Sequence, residues 1–386
     1  MKTLNNISSG KRLQSLDFFR GATVAAMILV NNPGSWSHIY GPLKHAAWHG
    51  WTPTDLIFPF FLFIVGVSIV LAFTKARTKG ASNNLLMKKT LVRAAKIFGL
   101  GLVLATFPFI KFTPDFGLFK PLADIRIPGV LQRIAICYAI GAALFLYTKP
   151  KTQLLTLAGL LLSYWLVMML VPVPGIGAGA IHAPETNFAA YLDKLILGSH
   201  MWKENWDPEG LLSTIPAIGT TLVGIWTGRL LMEKQESETR RTLSFFITGF
   251  SLLIIGYAWN WVFPINKNIW TSSYTLFTGG QAMMIFGFCY WFIDVKKMQK
   301  YTNWAIAFGM NAITVFFLSG IIGRLMYLIK FTVKGETYTL KAWLYDVVLS
   351  SVASPINASL LYAILWILLF YALARWMQVR NIIIKV

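Results

Sequence analysis

Asn31–Ser68 reads NNPGSWSHIYGPLKHAAWHGWTPTDLIFPFFLFIVGVS. Its second half is an apolar run introduced by Thr52-Pro53-Thr54-Asp55, and an apolar stretch at 18–35 leads into its first half. Runs of roughly 20 such residues have the length that crosses a hydrocarbon core as a helix. The segment therefore reads as two membrane helices joined by a short loop holding His38, His45 and His49 among Trp36, Trp48 and Trp51. Imidazole is the side chain best suited to exchange protons near neutral pH, which makes His45 the centre of a candidate site at a membrane surface.

The rest of the chain repeats the apolar pattern. Of 386 residues, 56% are hydrophobic and only 13% charged. A soluble domain of this length needs more charge to cover its surface, so the composition specifies an integral membrane protein. Apolar runs fall at 18–35, 54–74, 90–110, 127–147, 153–172, 211–232, 241–262, 270–293, 303–327 and 357–378. The expected fold is an all-α polytopic transmembrane bundle of about ten spans, read as a single domain over 1–386. Cys137 and Cys289 both lie inside apolar runs, which argues against a disulfide framework or a thiolate metal site. The polar start lacks the pattern of a cleaved signal peptide, so the first span is expected to direct insertion.

Charge supplies the orientation. Lys75, Arg77, Lys79, Lys88 and Lys89 fill one loop, and Lys149 with Lys151, Arg240 with Arg241, and Lys296, Lys297 and Lys300 fill later alternate ones. Lys2, Lys11, Arg12, Arg375, Arg380 and Lys385 join them, placing both termini in the cytoplasm by the positive-inside rule. The net charge of +20 then reads as topology and contact with anionic membrane lipid. No soluble basic domain is visible to bind nucleic acid.

The opposite face receives 36–53, 111–126, 173–210, 263–269 and 328–356, and with them all five histidines. It also carries Trp202, Trp206, Asp207 and Glu209, and the run Asn266, Lys267, Asn268 and Trp270. Polar and aromatic residues on anchored loops suit a sugar, whose hydroxyls seek polar partners and whose C–H face stacks on indole. An interfacial aromatic belt accounts for many of the same tryptophans. Short amphipathic helices are expected near 185–198 and 340–352.

Polar residues inside apolar runs need a reason. Asp17 and Arg20, three apart at the inner mouth of the first span, form an ion pair, an anchor or part of a ligand site. Gln132 and Arg133 fall about two turns into the fourth span, where an arginine costs roughly 2.5–3.5 kcal/mol, so Arg133 should face a cavity or a partner. His45 and His49 have a spacing that a helix would bring to one face, but no glutamate lies between them and no third ligand is near. No metal is expected. Asp55, at a helix start, reads as a capping carboxylate or as a group that orients His45.

RLQSLDFFRG (Arg12–Gly21), KHAAWHGWTPTDLIFPFFLFIVGVSI (Lys44–Ile69), RIPGVLQR (Arg126–Arg133), DPEGLLSTI (Asp207–Ile215) and NKNIWTSSY (Asn266–Tyr274) stand in this order along the chain. Together they closely resemble the heparan-alpha-glucosaminide N-acetyltransferase family and its bacterial relatives associated with N-acetylglucosamine utilisation. Set beside the animal enzyme, the resemblance leads to the expectation that its extra lumenal domain and first span have no counterpart here. The resemblance implies a transmembrane acetyltransferase that moves acetyl from cytoplasmic acetyl-CoA, a co-substrate, to a glucosamine-type amine on the far side of a bacterial inner membrane. The family's active histidine maps onto His45 and its neighbouring asparagine onto Asn31, with Asp55 as the third expected catalytic-site residue. His49 stands where the animal enzyme has asparagine, which argues that His49 is dispensable.

Acetyl-CoA is polyanionic, so its nucleotide end belongs at the positive inner face while its thin arm enters the bundle. The donor set is expected among Arg20, Arg133, Gln132, Ser68, Lys75 and Arg77. The acceptor amino sugar is expected on Trp48, Asp207, Glu209, Asn266, Lys267, Asn268 and Trp270, and a homodimer is allowed. Direct transfer with His45 as base and transfer through an acetyl-histidine both remain open. The competing readings are an amino-sugar permease and an acyltransferase acting on another surface glycan.

Overall fold

Helix starts in this chain are chemically marked. Ser82, Asn187, Ser237 and Thr271 each accept a backbone N–H of the following turn, and Pro150 and Pro355 occupy first helical positions where no N–H is needed. In the computed structural model, residues 13–111, 118–119, 125–233, 237–333 and 335–384 are described. Lys2, Lys11, Arg12, Lys385 and most of the expected segment 111–126 lie outside the described residues.

The long helices are α1 (Gln14–Asn31), α2 (Ile57–Thr78), α3 (Asn83–Thr106), α4 (Val130–Tyr147) and α5 (Pro150–Leu170). After a short α6 (Phe188–Leu197), at the place expected for an amphipathic helix, come α7 (Thr214–Met232), α8 (Glu238–Trp259) and α9 (Ser272–Cys289). The chain continues with α10 (Asn303–Met310), α11 (Ala312–Leu328) and α12 (Pro355–Val379). Among the described residues, 7 helices are long and apolar enough to cross a membrane, and α10 with α11 makes an eighth if counted as one broken span. The chain is thus a multi-pass helical membrane protein. The other two expected runs are helical but more polar: Lys88, Lys89, Arg93 and Lys96 load α3, and Gln14, Asp17 and Arg20 the start of α1.

Three local expectations are corrected. The run 303–327 is bent by 80° between α10 and α11. The break falls at Asn311, whose buried side chain donates to Ile382 O at 2.9 Å and accepts Ile384 N at 2.9 Å. The all-α reading gains two small antiparallel hairpins, β1 (Ile110–Lys111) with β2 (Leu118–Phe119) and β3 (Lys330–Val333) with β4 (Glu336–Thr339). In the second, β-branched and aromatic residues alternate with polar ones around Gly335, whose φ of +87° suits glycine. Finally, the segment expected as an amphipathic helix near 340–352 begins as a short helix, Leu340–Ala342, and continues as a π-helical stretch, Trp343–Leu349.

The chain divides into two compact units. The larger comprises Ala46–Trp51 and Phe58–Lys296 and is built on α2 to α9. There α2 and α7 approach backbone to backbone: a Cβ on Gly66 would lie 2.1 Å from Thr221 O, and one on Gly224 2.0 Å from Phe63 O. Small residues at such crossings let helices pack where lipid offers no hydrophobic drive. Among the described residues, the smaller unit comprises 13–45, Thr52–Ile57 and 297–384, with α1 packed on α10 through Gly21 and Gly309.

Candidate functional site

In the smaller unit, Gly41–Leu43 forms a tight 3-10 turn that leads through extended Lys44 to His45. A second such turn, Pro53–Leu56, leads into α2, with Thr52 extended before it and Pro53 at its first position. Asp55, three residues after Thr52, bends back so that its Oδ2 accepts Thr52 N at 3.0 Å. Its other oxygen, Oδ1, lies 2.6 Å from His45 Nδ1. The two sequence readings of Asp55, cap and orienter of the imidazole, are therefore met by one carboxylate using different oxygens.

Exposure divides the pair. The Asp55 side chain is 1% exposed and that of His45 45%. An ionised carboxylate only accepts hydrogen bonds, so in the neutral imidazole the proton resides on Nδ1 and the Nε2 lone pair is free. That is the arrangement of a base or nucleophile whose tautomer is set by a buried acid. Asn31 is the last residue of α1 and is exposed. Asp17 and Arg20, on the same helix, form an ion pair at 3.1 Å.

In the larger unit, the polar residues expected to meet a sugar form a tight network. Arg126 grips Asp207 with two bonds, Nε to Oδ2 at 2.8 Å and Nη2 to Oδ1 at 2.6 Å, and reaches Glu209 Oε2 at 2.5 Å. Asp207 also accepts Trp202 N at 2.7 Å and Glu209 N at 2.8 Å. Burial alone would push the Glu209 carboxyl up, but Arg126, Lys267 and Arg133 outweigh it and hold it below the usual carboxylate range. Burial likewise works against the Arg126 charge, yet Asp207 and Glu209 raise its pKa. Lys267, expected among the acceptor residues, thus acts on Glu209 through its field.

Asn266 and Trp270 are fully enclosed instead of lying open on an external loop. Asn266 Oδ1 accepts the N–H groups of Asn268 and Ile269, folding the turn onto itself. Trp270 donates to Thr220 Oγ1 at 3.1 Å, stands edge-on to Phe58 and Tyr274, and lies 5.2 Å from the Arg133 guanidinium. Trp48 donates to Ile181 O at 2.8 Å and meets Trp206 edge-to-face. His49 Nε2 is 3.2 Å from His182 Nδ1, and its other nitrogen 3.4 Å from Asn266 Nδ2. Burial first, and the neighbouring His182 second, lower the His49 pKa. Asn268 remains accessible, lining a narrow cleft with Asn187, Asp193, Trp206, Asp207 and Ser213.

The expected donor residues fall into separate places. Arg133 and Gln132 occupy the first turn of α4, not its second, because Pro128-Gly129 delays the helix start to Val130. Arg133 is buried and donates to Gly210 O at 3.0 Å and Ser213 Oγ at 2.5 Å. Arg77 instead meets the far end of α4, donating to Leu146 O at 3.0 Å, and lies 5.3 Å from the Phe145 ring. At 1.5 Å per residue these ends are about 20 Å apart. Arg133 and Arg77 therefore cannot grip one phosphate together. Ser68 donates to Ile64 O of its own helix at 2.7 Å.

Sequence reasoning missed three participants. Arg126 lies 81 residues from Asp207, so no local period announces the pair. Asp193, beside Lys194 on α6, looks like a solvated charge but is buried, accepts Leu211 N at 2.8 Å and packs on Gly210. Burial raises its pKa to about 7. Arg229, 4.8 Å from the Phe145 ring, shares that ring with Arg77.

Fold and site together define a multi-pass helical membrane protein that presents a carboxylate-oriented histidine. Residues 12–259 match the sequence model of heparan-alpha-glucosaminide N-acetyltransferase, catalytic. The chain is 32% identical over 362 residues to heparan-alpha-glucosaminide N-acetyltransferase of Mus musculus, covering 80% of this chain and 53% of that protein. It is 32% identical over 358 residues to the same enzyme of Homo sapiens, covering 79% and 52%. The chain belongs to the heparan-alpha-glucosaminide N-acetyltransferase family, and it spans about half the length of these relatives.

Proposed function

We propose that the chain transfers the acetyl group of acetyl-CoA to the amine of a glucosamine-type sugar, with His45 moving the proton. The observation that carries this is the 2.6 Å contact between buried Asp55 and the exposed His45 ring, in a chain of this family. In the direct route the amine attacks the thioester carbonyl while His45 Nε2 takes its proton. The C–N bond forms, the C–S bond breaks, and the imidazolium returns the proton to the departing CoA sulfur. Asp55 stabilises that imidazolium, and Asn31 is the proposed donor to the oxyanion. An acetyl group carried on Nε2 is the alternative route, less favoured because water would hydrolyse it.

The donor's phosphates suit the Lys75 and Arg77 end of the larger unit, to which Arg229 adds a cation, and Arg20 and Ser68 stay in the donor set. Among the acceptor residues, Asn268 and the Trp48–Trp206 pair keep accessible polar and aromatic edges. Alternating Lys/Arg loops support ten spans with cytoplasmic termini and the sugar at the periplasmic face of a bacterial inner membrane. Residues 1–386 would act as one acyltransferase domain, in lipid and as a monomer or homodimer.

Incubating the purified protein with acetyl-CoA and a panel of amino sugars, read by mass spectrometry, tests the proposal. Free CoA and a product heavier by one acetyl group are expected. A glycan other than glucosamine as sole acceptor would favour the surface-glycan reading, and unmodified sugar carried without CoA the permease.

A further inference from the structure

His45 and Asp55 belong to two short segments, 42–45 and 52–55, that meet through three side-chain ties. Thr54 Oγ1 donates to Pro42 O at 3.1 Å, Thr52 Oγ1 reaches Lys44 O at 2.6 Å, and His45 meets Asp55 at 2.6 Å. Thr52 touches both sides of the reactive pair. Its N–H donates to Asp55 Oδ2 at 3.0 Å, and its hydroxyl stands 3.1 Å from that same oxygen. A hydroxyl has one proton to give. The shorter contact takes it, so the hydroxyl holds the Lys44 carbonyl while the backbone N–H holds the carboxylate.

We propose that Thr52 is a positioning residue for acetyl transfer: its hydroxyl fixes the backbone immediately before His45 while its N–H fixes Asp55, keeping the His45 Nδ1 contact closed and Nε2 free to react. The proposal rests on the role of His45 given above. Lys44 and His45 lie outside any regular element, so the peptide that carries the imidazole depends on such ties for its direction. Without the hydroxyl, the Lys44 carbonyl turns to water, the ring swings from Oδ1, and either nitrogen can carry the proton. Groups that orient a reactive imidazole indirectly matter in this way even though they never meet substrate.

Thr52→Val tests the hydroxyl alone, because valine has the same shape and keeps the N–H. The expected result is a kcat lower by about 10- to 100-fold with both KM values moved by less than about twofold, and recovery by Thr52→Ser to within about threefold of the parent. A purely structural role would lower thermal stability and active fraction together, so kcat is taken per active site after titration of the active fraction, and only the positioning role lowers that value. Nitrogen-15 NMR of His45 in the purified protein gives a second reading that needs no turnover. One tautomer, with Nδ1–H, is expected in the parent and Thr52→Ser, and a mixture in Thr52→Val. If the valine variant does not fold, Thr52→Ala, which removes bulk instead of introducing an apolar group, takes its place in both measurements. Parent-like kcat and a single tautomer in the hydroxyl-free variant overturn the proposal. Full turnover by His45→Ala would instead overturn the reading on which it rests, and the tautomer measurement would still decide what Thr52 does.

Discussion

Asp55 leaves His45 one nitrogen with which to work. If Nε2 moves the proton, His45→Ala lowers kcat by about 100- to 10,000-fold, the worth of a positioned acid–base group. Asp55→Asn does comparable damage, because its amide N–H can donate to Nδ1 and move the ring proton to Nε2. Initial rates at saturating acetyl-CoA check both, and parent-like kcat in either variant contradicts the pair. Trp270 belongs to another class of residue. It is enclosed by Phe58, Tyr274 and Arg133, so Trp270→Ala should destabilise the fold by about 3–5 kcal/mol instead of selectively raising the sugar KM. Denaturation in detergent separates these outcomes, and an unchanged midpoint with a raised sugar KM would return Trp270 to the acceptor site.

Between helices, one joint of the larger unit is electrostatic. Arg126 ties the approach to α4 to the turn before α7, and its removal would leave Asp207 and Glu209 buried without their main cation. Arg126→Ala should therefore cost about 3–5 kcal/mol, the usual result of breaking a buried pair from one side. A loss near zero would show that water replaces the guanidinium.

Two groups give this unit opposite pH slopes. Folding raises the Asp193 pKa from 3.8 to about 7, so the folded state holds more protons in that window. Its contribution is full below 3.8 and is lost as pH rises to about 7. Folding lowers the His49 pKa below 6.5, so its contribution is present above 6.5 and is lost as pH falls through the lowered value. Melting temperatures across pH 4–8 should lose the falling slope in Asp193→Asn and the rising one in His49→Asn; no change of slope in either variant contradicts these assignments. The His45–Asp55 pair was legible in the sequence because ten residues and one turn separate its members. Arg126 and Asp207 were not, since their meeting depends on how α4 and α7 pack.

Across the bundle, the helices were legible because lipid imposes its demand on every residue of a span, and each apolar run became helical. The bend at Asn311 escaped, because one asparagine in FGMNAITVF carries no breaking signal until the chain near Ile382 supplies its hydrogen bonds. The proposed orientation rests on charge. If it holds, Ser37→Cys should react with an impermeant maleimide from the side opposite the basic loops and Lys79→Cys should not, and equal labelling would contradict the proposed topology.

The central claim, acetyl transfer across the membrane at His45, is tested most directly in sealed proteoliposomes with acetyl-CoA confined to the side of Lys79 and glucosamine to the side of Ser37. The account predicts N-acetylated sugar on the glucosamine side, free CoA on the other, and neither with His45→Ala. Passage of unmodified glucosamine without CoA release, or the same product yield from His45→Ala, would contradict it.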